Sequence, residues 1–224
     1  MQAARGTALS GTGESAAQPA GEPSATAPLP PAADDPAGTT ARAHEPVRPR
    51  RLGLFVVVAA LALAADVLTK ILIVANVEPG VPKRELGGAV YLLLIRNSGA
   101  AFSVGTSATI LFSAIALIIV VVIVRVAPRL RSAGWAIALA LVLGGALGNL
   151  ADRLFRAPGW GRGHVVDWIS VFASDGHVWP IFNLADSAID CGGVLAALMA
   201  LLGVGLDGRR GAGRAGRSRH DVRR

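Results

Sequence analysis

Two stretches of this chain repeat one small pattern of polar groups in apolar surroundings. Gly148-Asn149-Leu150-Ala151-Asp152-Arg153 and Phe182-Asn183-Leu184-Ala185-Asp186-Ser187 each place a carboxamide and a carboxylate at i and i+3, on one helix face. Between them, Gly163-His164-Val165-Val166-Asp167-Trp168 sets a lone acid in an apolar run. Upstream, Asp66 and Lys70 stand at i and i+4 with the acid first, the better orientation for a helical ion pair. Two carboxyl groups held close cannot both ionise, so they share a proton: the ionised member can deprotonate a water while the protonated one polarises a carbonyl. That is aspartic-protease chemistry, and such a pair titrates as a unit. Acids inside a membrane also serve as proton relays in carriers, and spacing alone leaves both readings open.

Other chemistries find less support. There is no G-x-S-x-G elbow, and His44 and His220 lie in polar terminal segments, which leaves only His164 and His177 as candidate bases. His164 and Asp167 are two metal ligands without a spaced third. Cys191 is the only cysteine, which excludes an intramolecular disulfide and a multi-cysteine metal site. No metal or organic cofactor is expected.

The elements that hold these groups follow from composition. Of the 224 residues, 52% are hydrophobic and only 17% charged, where soluble domains carry about 25%. The net charge of +7 is unevenly spread. Residues 1–51 hold five Arg and five acids, and residues 207–224 hold seven Arg and two acids. The basicity is therefore mostly a tail, which reads as a flank attracted to anionic membrane lipid; no nucleic-acid partner is expected. Residues 1–51 contain eight of the 13 prolines and no apolar stretch before Leu52, so disorder is expected there and a signal peptide is not.

Four apolar stretches follow: Leu54 to Val74, Ile110 to Val126, Trp135 to Leu150 and Ser187 to Leu206. Roughly 20 helical residues cross the hydrocarbon core; the third stretch is short, and its Gly144-x-x-x-Gly148 spacing suits close packing inside a bundle. Arg48, Arg50 and Arg51 precede the first span, Arg125, Arg129 and Arg131 join the second to the third, and seven Arg follow the fourth. Both termini are therefore expected to be cytoplasmic, with the two longer connections outside. Trp160, Trp168 and Trp179 fall in the second of these, as interfacial anchors or as packing residues. In the first, Val90 to Ile95 reads VYLLLI between turn signals, a short strand in a small extracytoplasmic β element.

In this arrangement Asp152, Asp167, Asp186, Asn149 and Asn183 converge on the outer membrane surface, with Asp66 and Lys70 in the outer half of the first span. Blander readings stand beside the functional one. Asp66 and Lys70 can pair only with each other, Asp186 can serve a helix start, and Asp152 with Arg153 can be an interfacial pair. Asp190, one turn deeper than Asp186, reads as structural or proton-linked.

At these residues the chain resembles the lipoprotein signal peptidases, the signal peptidase II family of bacterial membrane aspartic proteases. The matching segments are Asp66-Val67-Leu68-Thr69-Lys70, Asn97-Ser98-Gly99-Ala100-Ala101-Phe102-Ser103, the two Asn/Asp motifs above and Val165-Val166-Asp167, in family order over about residues 52 to 206. The resemblance implies a membrane all-α bundle of four transmembrane helices with a small extracytoplasmic β-cradle, flanked by disordered cytoplasmic segments at 1–51 and 207–224. It implies that Asp167 and Asp186 are the catalytic dyad, and that Asp66, Lys70, Asn97, Gly99, Asn149, Asp152, Arg153, Asn183 and Ala185 bind substrate or support the site. It implies diacylglyceryl-modified prolipoprotein substrates cleaved just before the lipidated cysteine, in the bacterial cytoplasmic membrane, and inhibition by globomycin. Trp168 departs from the family pattern, where Phe is more typical, and the extension 1–51 is longer than the family needs. The rival is a proton-coupled carrier or assembly factor; against it, the polar residues gather at one surface and form no path across the bilayer.

Overall fold

The computed structural model describes residues 49–99 and 106–210. The disorder expected for most of 1–51 and 207–224, and the motif residues Ala100 to Ser103, lie outside them. Four helices are long and apolar enough to cross a membrane: α1 (Leu52–Asn76), α2 (Thr106–Val126), α3 (Ala133–Phe155) and α4 (Leu184–Leu201). All four coincide with the expected spans, and each begins a few residues earlier than its apolar run.

The third helix is the axis of the bundle. Its apolar window is 56% buried, against 17% in α1 and 11% in α2 and α4. The small residues of α3 explain this, because they let neighbouring backbones approach. A Cβ on Gly144 would stand 2.7 Å from the Ala62 Cβ and 2.8 Å from the Ala59 carbonyl of α1. A Cβ on Gly145 would collide with the Ala185 carbonyl of α4. The other helices turn large apolar side chains such as Val57, Leu61, Ile118 and Val194 outward, as segments solvated by lipid do.

At one end of the bundle the connections lock together. The Arg51 amide donates to the Leu130 carbonyl at 2.8 Å, and the Arg131 and Ser132 amides both donate to the Leu206 carbonyl at 2.9 and 3.0 Å. Trp135 Nε1 donates to the Val204 carbonyl at 2.6 Å, and the Ser132 hydroxyl caps α3 by accepting from the Trp135 amide. Here the chain departs from expectation: α4 stops at Leu201 instead of continuing to Leu206. The apolar run continues, but Gly203 at φ 66° reverses the backbone, a conformation hydropathy does not register.

A three-stranded antiparallel sheet covers the other end. It comprises β1 (Lys83–Glu85), β2 (Val90–Asn97) and β3 (Val165–Val171), in the order β1-β2-β3. The expected strand at Val90 to Ile95 is present as β2 and runs two residues further; β1 and β3 were not anticipated. Register pairs Val90 with Val171, Ile95 with Asp167 and Asn97 with Val165, with an irregularity between Leu92 and Ile95. The sheet is seated on the end of α1, where Ile73, Leu94 and Val166 form a small core joined by Val74, Val77, Leu92 and Trp168. Of the three tryptophans, Trp168 is thus a packing residue, whereas Trp160 and Trp179 are 79% and 57% exposed.

Candidate active site

Asp167 reaches the site from β3, buried between two carboxamides. Asn97 Nδ2, from the end of β2, donates to Asp167 Oδ2 at 2.9 Å, and Asn183 Nδ2 donates to Asp167 Oδ1 at 2.6 Å. Asn97 is itself held, because its Oδ1 accepts from the Gly99 amide at 2.8 Å in a tight turn that requires Gly99 at φ 84°. Burial pushes the Asp167 carboxyl up to about 6; the nearby Asp186 pushes the same way, while the Asn97 and Asn183 hydrogen bonds pull it back.

Asp186 arrives through helix-end chemistry. Asn183 caps α4, its Oδ1 accepting from the Asp186 amide at 3.0 Å. In return the Asn183 amide donates to Asp186 Oδ2 at 3.2 Å, closing a capping box. The blander role of Asp186 as a helix-start acid is therefore real. It leaves Oδ1 directed elsewhere, where it accepts from Asn149 Nδ2 of α3 at 2.7 Å. Asn183 thus touches both aspartates, Asp167 through its side chain and Asp186 through its backbone.

Beneath them lies Lys70, fully buried, with all three ammonium protons matched. Its Nζ stands 2.8 Å from Asp66 Oδ2 and 2.9 Å from Asp152 Oδ2, and donates to Asn149 Oδ1 at 3.0 Å. Each partner also accepts from elsewhere. The Ala185 amide donates to Asp66 Oδ1 at 3.0 Å, the Val166 amide to Asp152 Oδ2 at 3.2 Å, and Asn183 Nδ2 to Asn149 Oδ1 at 3.2 Å. The ammonium therefore ties α1 to α3, α4 and β3 through one charge, so a private Asp66–Lys70 pair is not what forms.

The expected residues thus meet, with two corrections of detail. Asp152 and Arg153 make no interfacial pair: Asp152 binds Lys70 and the Nε of Arg156, while Arg153 donates to the Asn149 carbonyl at 3.2 Å and lies 5.8 Å from the centre of the Phe112 ring. Asp190 faces outward on α4, away from the cluster. Sequence reasoning missed Arg156, although its i, i+4 spacing from Asp152 was the available signal. It also missed the role of Gly148, which makes room for Asp66 Oδ2 itself. Among the described residues no group of three or more His, Cys, Asp or Glu could hold a metal ion.

Gly148 offers a direct check of this packing. A methyl at that position would overlap the Asp66 carboxylate, so Gly148→Ala is expected to lower stability by about 1–3 kcal/mol. Thermal unfolding in detergent should show a depressed midpoint, while Gly53→Ala, which meets nothing within 4 Å, should not.

Four apolar helices under a small sheet, with buried acids where the two meet, define a multi-pass membrane protein. Residues 58–202 match the family model described as signal peptidase (SPase) II. A lipoprotein signal peptidase of Rhodococcus jostii is 50% identical over 177 residues, covering 79% of this chain and 86% of the relative. One from Mycobacterium avium is 46% identical, covering 79% and 94%, and one from Streptomyces coelicolor is 46% identical, covering 71% and 76%. Among solved structures, a bacterial membrane enzyme determined in meso at 1.9 Å superposes with a TM-score of 0.61 at 26% identity, over 70% of this chain and 98% of the other. The chain belongs to the signal peptidase II family, and it is a membrane-embedded protease.

Proposed function

We propose that Asp167 and Asp186 are the catalytic dyad of an endopeptidase that cuts diacylglyceryl-modified prolipoproteins just before the lipidated cysteine. The observation that carries this reading is Asn183, which holds one carboxylate with its side chain and the other with its backbone amide. Asp167, the more buried of the two and the one whose carboxyl is pushed up to about 6, carries the shared proton. Asp186, accepting from Asn149 and the Asn183 amide, acts as the base.

Water placed between them gives a proton to Asp186 as its oxygen adds to the scissile carbonyl carbon, and Asp167 protonates the carbonyl oxygen. The gem-diol intermediate collapses as the amide nitrogen takes the proton from Asp186, the C–N bond breaks and one gem-diol hydroxyl returns its proton to Asp167. The products are a signal peptide with a new carboxyl terminus and a lipoprotein beginning at the modified cysteine. Lys70, Asp66, Asp152 and Asn149 position this apparatus, and Asn97, Gly99, Asn183 and Ala185 fix the dyad's surroundings. With arginines at the locked end of the bundle and the sheet at the other, the protein lies in the bacterial cytoplasmic membrane with both termini cytoplasmic and the site near the outer surface. Substrate then enters from surrounding membrane lipid, and no cofactor takes part.

The test is cleavage of a diacylglyceryl-modified prolipoprotein by the purified chain in detergent, with product masses locating the cut. Cutting before the lipidated cysteine, blocked by globomycin, supports the reading; an inert but folded chain beside an active control peptidase defeats it. The dyad also has a pH signature. Below about 6 Asp167 keeps its proton and above it the proton is lost, so kcat/KM, which reports the free enzyme, should decline as pH rises through that value. A rate that climbs steadily from about pH 6 to pH 9 would reverse the assignment of acid and base.

A further inference from the structure

Two residues at the far tip of the sheet are at once strained and exposed. Leu86 and Phe172 lie in the left-handed region at φ 44° and 61°, which disfavours bulky side chains. Both are large and apolar, yet 79% and 71% exposed. Neither is loosely held. Arg84 Nη2 donates to the Gly87 carbonyl at 2.6 Å, bracing the turn that contains Leu86, and Ser170 Oγ donates to the Ala173 carbonyl at 2.7 Å, bracing the turn at Phe172. The Phe172 amide donates to the Ala89 carbonyl at 2.9 Å and ties the two turns together. Strain that its surroundings hold in place marks function more often than accident; glycine at either position would relieve it.

The register says where this tip stands. At its Asn97 end, β2 is bonded to Asp167. Further back, Leu94 and Leu92 rest on Ile73, Val74 and Val77 of α1 and its C-terminal exit. Val90, opposite Val171, lies beyond them, about 23 Å from Asn97 at roughly 3.3 Å per residue. The sheet therefore crosses the end of α1 and carries its tip past it. Leu68, Ile71 and Leu72 show that α1 itself turns an apolar flank outward there. We propose that Leu86 and Phe172 form an apolar wedge inserted into the lipid leaflet beside the end of α1, seating the sheet on the membrane. The occupant is the hydrocarbon just below the headgroups, and Arg84 at the same turn offers its charge to the phosphates above. The inference rests on the membrane embedding of the family and is independent of the dyad assignment.

Depth measurement tests it. In a Cys191→Ser background, Leu86→Cys, Phe172→Cys and the polar control Asp175→Cys would each carry an environment-sensitive fluorophore in phosphatidylcholine vesicles. At 86 and 172, quenching by a shallow lipid-borne nitroxide should exceed quenching by aqueous iodide several-fold, with the order reversed at 175. Iodide quenching at 86 and 172 equal to that at 175 would overturn the wedge. Protection from both quenchers would also overturn it, by placing the tip against protein. Should labelling disturb the fold, hydroxyl-radical footprinting of the unmodified chain in the same vesicles decides: Phe172 should react several-fold less than detergent-free exposure predicts, while the exposed His177 reacts fully. Full reactivity at Phe172 rejects the proposal.

Discussion

Asp167→Asn and Asp186→Asn are each expected to lower prolipoprotein cleavage by about 10²–10⁴-fold, the range general acid–base groups contribute. Folding should survive at both positions, because the side chain keeps its shape. At Asp167 both oxygens accept from amides of Asn97 and Asn183, so one donor there loses its acceptor, at about 1–3 kcal/mol of stability. Thermal unfolding beside the activity assay separates the two effects: a folded variant without cleavage supports the dyad. Asp152→Asn is the informative comparison. Asp152 stands in the most polar motif, but its oxygens are engaged by Lys70, Arg156 and the Val166 amide. It should lose stability first and activity only in proportion. Undiminished cleavage by both dyad variants would remove these two residues from the chemistry.

The second large effect is structural. Lys70→Met is expected to destabilise the protein by about 3–5 kcal/mol, because removing one member of a buried ionic cluster leaves its counter-charges uncompensated. Asp66 would be stranded, Asp152 would be left with Arg156 as its one remaining ion-pair partner, and Asn149, which positions Asp186, would lose one of the two donors to its Oδ1. Unfolding midpoints in detergent read the loss directly. Adding Asp66→Asn should recover part of it by cancelling one orphaned charge, with Asp152 still served by Arg156. Lys83→Met makes the contrast. Its 3.4 Å pair with Glu85 joins side chains 68% and 41% exposed, and such surface pairs contribute about 0–1 kcal/mol. Equal effects at the two lysines would mean that the buried cluster has no special weight.

Much of this protein was legible without coordinates, for identifiable reasons. Lipid is a solvent that demands long apolar helices with internal hydrogen bonding, so the four spans appear as composition alone. Charged residues are costly there, so Asp66 and Lys70 stood out against their background. Helical spacing placed Asn149 with Asp152 and Asn183 with Asp186 on shared faces, and Gly144-x-x-x-Gly148 announced the close packing that α3 makes. The strand at Val90 declared itself by its flanking turns.

What remained hidden was whatever depends on segments far apart meeting in space. Asp167 sits in a strand that read only as an acid in an apolar run, because the carboxamide that holds its side chain, Asn97, lies 70 residues away. Lys70 looked equally able to serve Asp66 alone. Only the convergence of α1, α3, α4 and β3 gives it three partners and makes it a joint between elements. The end of α4 at Leu201 was hidden because the apolar run continues past it, although Gly203 was a local stop signal. The outward Leu86 and Phe172 were invisible because left-handed conformations at bulky residues are not encoded by residue type; at Phe172 the conformation goes with a long-range hydrogen bond to the Ala89 carbonyl.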